Sequence, residues 1–92
     1  MKLKLTESFI KQLSRQVSYI AFDKPEAAKK FKADILSEVK FILKFPLKNR
    51  QSIYFEEEKI RDLIFKGYVI TYEVSRTEII VFAFTKYREF ED

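Results

Sequence analysis

The side chains that carry most enzyme chemistry are missing from this sequence: its 92 residues include no histidine and no cysteine. No disulfide, zinc site, Ser-His-Asp triad or Cys-His pair can be assembled from it. What remains is the chemistry of cations, carboxylates and phenols. Tyr68 and Tyr72 have the same parity in one strand-like segment, so both rings face one way. Rings so placed either stack on bases or form the edge of a core. Glu56, Glu57 and Glu58 are consecutive, and adjacent carboxylates rarely converge on magnesium, so they read as a solvated loop or a contact for a basic partner, with no metal expected. Lys29, Lys30 and Lys32 form a basic cluster that is either a solvated helix face or an electrostatic patch.

The elements that must position these residues follow from periodicity. Lys2-Leu3-Lys4-Leu5 alternates as a short half-buried strand. Thr6 can cap a helix whose apolar residues, from Phe9 to Ala21, recur at helical spacing. Asp23-Lys24-Pro25-Glu26 breaks it and starts a second, with Asp23 and Glu26 placed as a capping box. Ala28, Phe31, Ile35, Val39 and Ile42 make the second apolar stripe, and Phe45-Pro46 ends it. Residues 47–58 form a polar connection. Three β-rich segments follow, Ile60 to Phe65, Tyr68 to Val74 and Glu78 to Thr85, joined by Lys66-Gly67 and Ser75-Arg76-Thr77. The continuously apolar run Ile79 to Phe84 belongs at the centre of the sheet, with one face under the helices. The predicted fold is α+β, in the order β-α-α-β-β-β, with a helical hairpin packed on a small antiparallel sheet and residues 1–92 as one domain.

Composition sets the outer bounds. Hydrophobic residues are 47% of the chain, with one glycine and two prolines, which excludes disorder and collagen-like repeats. The net charge of +4 is unevenly spread, for residues 1–50 carry 12 basic and 5 acidic side chains whereas residues 51–92 carry 6 and 9. A basic front half suits an acidic protein or a nucleic acid. There is no run of 18 apolar residues, and the start is too short for a signal peptide, so a soluble cytoplasmic protein with no membrane partner is expected. Phe9, Phe31, Phe41, Phe82 and Phe84 fall on apolar stripes and are expected in the core. Phe22, Phe45, Phe55 and Phe90 fall at element ends, where some would line an exposed groove for a partner.

Tyr19-Ile20-Ala21, Pro25-Glu26-Ala27-Ala28 with Phe31, Pro46, Arg61-Asp62-Leu63 and Gly67-Tyr68-Val69-Ile70-Thr71-Tyr72 follow one another in an order and spacing that resemble the RelE/ParE toxin superfamily. The apolar last strand, ending near Arg88, completes the resemblance over nearly the whole chain. It implies a bacterial type II toxin–antitoxin module, in which a small basic toxin arrests growth and a cognate antitoxin silences it. The Pro-x-Ala-Ala-x-x-Phe helix start and the Arg-x-Leu strand look closer to the ParE-like branch, which poisons DNA gyrase without being a nuclease.

The RelE-like branch, which cleaves messenger RNA on the ribosome, is the alternative. Metal-free cleavage needs a proton acceptor for the 2′-hydroxyl, cations for the phosphorane and a donor for the leaving oxygen. By family position the candidates are Lys59, Arg61, Tyr87 and Arg88. Against this, the residue after Gly-Tyr, commonly an arginine in those nucleases, is Val69 here, and Glu89, Glu91 and Asp92 would repel a phosphate backbone. A non-toxic relative serving as an interaction module is a third reading. The expectation is therefore a gyrase-directed inhibitor without cofactor. Arg61, Arg88, Tyr68 and Tyr72 are its candidate contacts, and it forms a homodimer or a toxin–antitoxin hetero-oligomer.

Overall fold

The computed structural model describes residues 1–86. Strand β1 (Lys2–Leu5) leads into helices α1 (Glu7–Asp23) and α2 (Pro25–Ile42). Strands β2 (Arg50–Gln51), β3 (Ile60–Phe65), β4 (Tyr68–Val74) and β5 (Glu78–Lys86) follow. The helical hairpin covers one face of a five-stranded sheet in the order β1-β5-β4-β3-β2.

The sheet departs from the sequence expectation in two ways. It is mixed, because β1 runs parallel to β5, pairing Leu3 with Ile79 and Leu5 with Val81, while all other neighbours are antiparallel. It also has a fifth, two-residue strand inside the polar connection, with Arg50 opposite Asp62 and Gln51 opposite Arg61. Alternation predicts a strand but not the direction of its neighbour, and two residues are too few to carry a period. Strand β5 is interior, flanked by β1 and β4 and covered on one face by the helices, while β4 takes the centre that the sequence suggested for β5.

The helix ends show where local rules governed and where they did not. Thr6 caps α1, its Oγ1 accepting from the Phe9 amide at 3.1 Å. Thr6→Ala is expected to cost about 1 kcal/mol of stability, measurable by urea denaturation. The capping box at Asp23 and Glu26 does not form. Asp23 is the last residue of α1, and Lys24, the N-cap of α2, makes no side-chain cap bond. Pro25 begins α2 instead, where its missing N–H costs nothing. Helix α2 ends at Ile42, short of Phe45-Pro46, because the Leu43 amide turns to the Lys40 carbonyl at 3.2 Å and tightens the last turn.

Phe9, Leu13, Phe31, Ile35, Val39 and Ile42 from the helices meet Leu63, Ile70, Tyr72, Ile79, Val81 and Phe84 from the sheet. Phe9 meets Phe84 edge-on at 6.1 Å, and Tyr68 stacks on Phe84 at 4.9 Å. A bulge adjusts which residues reach this core. Thr71 pairs with Ala83 but Tyr72 with Val81, so Phe82 is the extra residue in β5. Parity reverses across a bulge. Phe84 therefore enters the core while Phe82 lies half-buried against Phe55 on the other face, at 5.8 Å between ring centroids. This corrects the placement of Phe82 in the core. Phe41 is likewise corrected, lying exposed at the end of α2.

The turn between β3 and β4 has positive φ at Lys66 (51°) and Gly67 (82°), a pairing that matches the twist of a tight hairpin. The Lys66 ammonium bonds Asp34 of α2 at 2.9 Å, and Lys30 reaches the same oxygen at 3.1 Å. Hydrogen bonds from Lys66 and then Lys30 hold the Asp34 carboxyl below the usual carboxylate range, so this tether persists until pH falls through that lowered value.

Candidate functional site

Arg61, Asp62, Tyr72 and the connection after α2 form one cluster at the β2 end of the sheet. Arg61 and Tyr72 are cross-strand neighbours. Arg61, a candidate contact for a target, is held by two backbone carbonyls. Its Nε donates to the Glu58 carbonyl at 2.7 Å and its Nη1 to the Asn49 carbonyl at 3.2 Å. Tyr72 is fully buried at 0% exposure, and its hydroxyl donates to the Pro46 carbonyl at 2.8 Å while accepting from Asn49 Nδ2 at 3.1 Å. Arg61 and Tyr72 therefore clamp residues 46–49. Both act on the backbone, the part of a turn that side-chain patterns do not reveal.

Asp62 sits on the opposite face of β3, 2% exposed. Its Oδ1 accepts from the Thr71 hydroxyl at 3.0 Å, and its Oδ2 accepts from the Ile53 amide at 3.3 Å and lies 3.6 Å from the Arg50 guanidinium. This buried carboxylate fixes the start of the segment that carries Ile53, Tyr54 and Phe55 into solvent. No role was expected for Asp62 beyond its place in the Arg61-Asp62-Leu63 segment. The signal was present in its alternation with Arg61, which had to send one of the two charges to each face.

The other sequence candidates separate. Lys59 is held by Glu73 at 3.5 Å and Glu57 at 3.9 Å. Tyr68 is half-buried with its ring against Phe31 and Phe84, so it forms a core edge and offers no open stacking platform. Tyr72 offers none either, being enclosed. Tyr87, Arg88 and Phe90 lie outside the described residues. Val69 is fully buried. Glu56, Glu57 and Glu58 are exposed, and among the described residues no group of three or more acidic side chains is arranged to hold a metal ion.

Burial raises both phenols above the ordinary value of about 10. For Tyr72 the Asn49 hydrogen bond and the Arg61 charge offset part of that rise. A phenol whose folded value is raised adds stability that is intact below about pH 10 and is lost as pH climbs through the raised value. Alkaline titration followed by phenolate absorbance should show Tyr72→Phe removing a late component and flattening the fall of stability above about pH 10, beside a loss at every pH from the missing bonds to Pro46 and Asn49. Loss of an early component instead would place Tyr72 in solvent.

Apolar depressions open at the hairpin tip and on the helix-free face. Tyr19, Ile20 and Phe22, the last 93% exposed, line a depression of about 790 Å³ at the tip of the helical hairpin with Arg15 and Lys24. On the helix-free face, Tyr54, Phe55, Phe82 and Ala83 line a groove of about 490 Å³ that Lys86 borders. Phe22, Phe45 and Phe55 are thus all exposed, as expected of residues at element ends. No helix among the described residues is long and apolar enough to cross a membrane.

A helical hairpin on a five-stranded mixed sheet, with a buried polar clamp at one edge and apolar surfaces left open, makes this a small α+β protein. The chain belongs to the ParE toxin family of type II toxin–antitoxin systems, parDE, whose family model matches residues 3–89. Among solved structures, the chromosomal ParDE toxin–antitoxin system from P. aeruginosa is similar with a TM-score of 0.80 at 21% identity, covering 96% of this chain and 97% of that one. A conserved hypothetical protein from Helicobacter pylori is similar with a TM-score of 0.52 at 19% identity, covering 94% and 93%. A comparison with curated proteins gives no match.

Proposed function

We propose that this ParE-family toxin arrests growth in the cytoplasm by binding DNA gyrase, and that a cognate antitoxin silences it by covering its apolar surfaces. The observation that carries this reading is the family match over residues 3–89. The site chemistry is in keeping with it. Arg61 is engaged with two backbone carbonyls and Lys59 with two carboxylates, so neither is poised over an open phosphate site. A binding inhibitor needs instead exposed apolar side chains, and Phe22, Phe45, Leu47 and Phe55 supply them at separate places on the surface.

Tightly induced expression in a bacterial host, scored for viability beside a DNA-damage reporter, tests the target. Arrest with filamentation and a reporter signal is the expected result, with Arg88→Ala following as the first variant. Arrest without that signal would move the target to messenger RNA on the ribosome. No arrest at matched soluble expression would leave a non-toxic member of the family in that host.

A further inference from the structure

The second half of α1 carries a stripe of exposed side chains. Arg15, Tyr19 and Asp23 follow one another at intervals of four residues and Phe22 sits beside them, so all four share one side of the helix. Tyr19 is 77% and Phe22 93% exposed, and Arg15 and Asp23 are exposed with them. Lys11 and Lys29 on the same hairpin are each paired within their own helix, to Glu7 and Glu26. Arg15 and Asp23, by contrast, form no ion pair among the described residues.

The spacing of the stripe carries a symmetry. Arg15 and Asp23 lie four residues either side of Tyr19, about 6 Å along the helix axis in each direction. Let a second α1 lie antiparallel to the first, with a two-fold axis passing at Tyr19. Each Arg15 then comes opposite Asp23 of the second copy, and each Asp23 opposite its Arg15. Phe22, about 4.5 Å along from Tyr19, falls between Tyr19 and Arg15 of the second copy, where its ring packs on a ring and under a guanidinium. Asp23 would repel an acidic peptide or an anionic lipid surface, whereas a face bearing both signs at equal distances is complementary to itself.

We infer that this stripe is an interface between two copies of the chain, an isologous dimer made by antiparallel pairing of the second half of α1. It is small beside the roughly 20–30 residues a side of a standard interface, so the dimer is a weak one, with a Kd on the order of 100 µM. None of its residues lines the groove on the helix-free face, so the pairing does not draw on that groove. The inference goes beyond the growth-arrest reading and does not depend on gyrase as target: it selects the homodimer among the expected assemblies and gives it contacts.

Sedimentation velocity of the purified chain, from about 5 µM to about 1 mM, is the test. The wild type should pass from monomer to dimer over that range. Arg15→Asp and Asp23→Arg each set like charges opposite one another twice, and each should weaken the dimer at least about tenfold. The two single variants mixed in equal amounts should pair with each other. Arg15→Asp/Asp23→Arg in one chain should restore the homodimer, because opposite signs again meet at both contacts. Phe22→Ser should weaken the dimer about tenfold while leaving the charges as they are. All three substituted side chains are exposed, and circular dichroism checks that every variant is folded. A chain still monomeric at about 1 mM would overturn the inference. So would a dimer that the single reversals leave unchanged, or that the double reversal fails to restore. Binding to phosphatidylserine vesicles that Phe22→Ser abolishes, in a chain that never dimerises, would make the stripe a membrane contact instead.

Discussion

Asp62→Ala is expected to lower stability by about 3 kcal/mol, a large share of the roughly 5–15 kcal/mol that holds a domain together. The carboxylate is 2% exposed and accepts from the Thr71 hydroxyl at 3.0 Å and the Ile53 amide at 3.3 Å. Alanine leaves the hydroxyl of a buried threonine and a backbone amide without their acceptor and removes a counter-charge from Arg50. Asp62→Asn keeps the shape and one acceptor oxygen, so it should lose roughly half as much. Urea denaturation measures the total, and hydrogen exchange at the Ile53 amide measures the local part. Protection at that amide should vanish in the alanine variant. If exchange at Ile53 were unchanged, the carboxylate would not be what orders the 52–55 segment.

Arg61→Ala should cost about 2 kcal/mol, since two charge-assisted bonds to backbone carbonyls are lost at a partly buried position. Arg61→Lys should be nearly as damaging. A lysine keeps the charge but cannot present two coplanar donors to the Glu58 and Asn49 carbonyls at once. Amide protection in residues 47–49 should fall in both variants, because Tyr72 alone then holds the turn through Pro46 and Asn49. Growth arrest should weaken in both to a similar degree, through a loosened surface. If Arg61→Ala lost arrest while keeping wild-type stability and protection, the guanidinium would be touching the target itself.

The interpretation of Arg61 shows how far charge and parity reach. Its position on β3 was legible, and so was the choice between a structural and a binding role, but its partners are carbonyls from turns 3 and 12 residues away. No side-chain pattern encodes which carbonyl a turn will leave unpaired. Tyr68 and Tyr72 illustrate the converse. Their shared face was correctly read, and the helices then chose that face, turning a possible stacking platform into core.

By itself the sequence determined both helices, the Thr6 cap, the three long strands, the Lys66-Gly67 hairpin and the interior place of β5. Each is written in local periodicity or in the backbone preference of one or two residues. The parallel pairing of β1 with β5, the two-residue β2, the bulge at Phe82 and the clamps made by Arg61, Asp62 and Tyr72 were decided by tertiary structure alone. All of these depend on which backbone groups meet across the fold, and a backbone N–H or C=O is the same in every residue type that carries it. Side-chain patterning therefore specifies which face is buried, while the chain's closure in three dimensions specifies which polar groups must satisfy one another there.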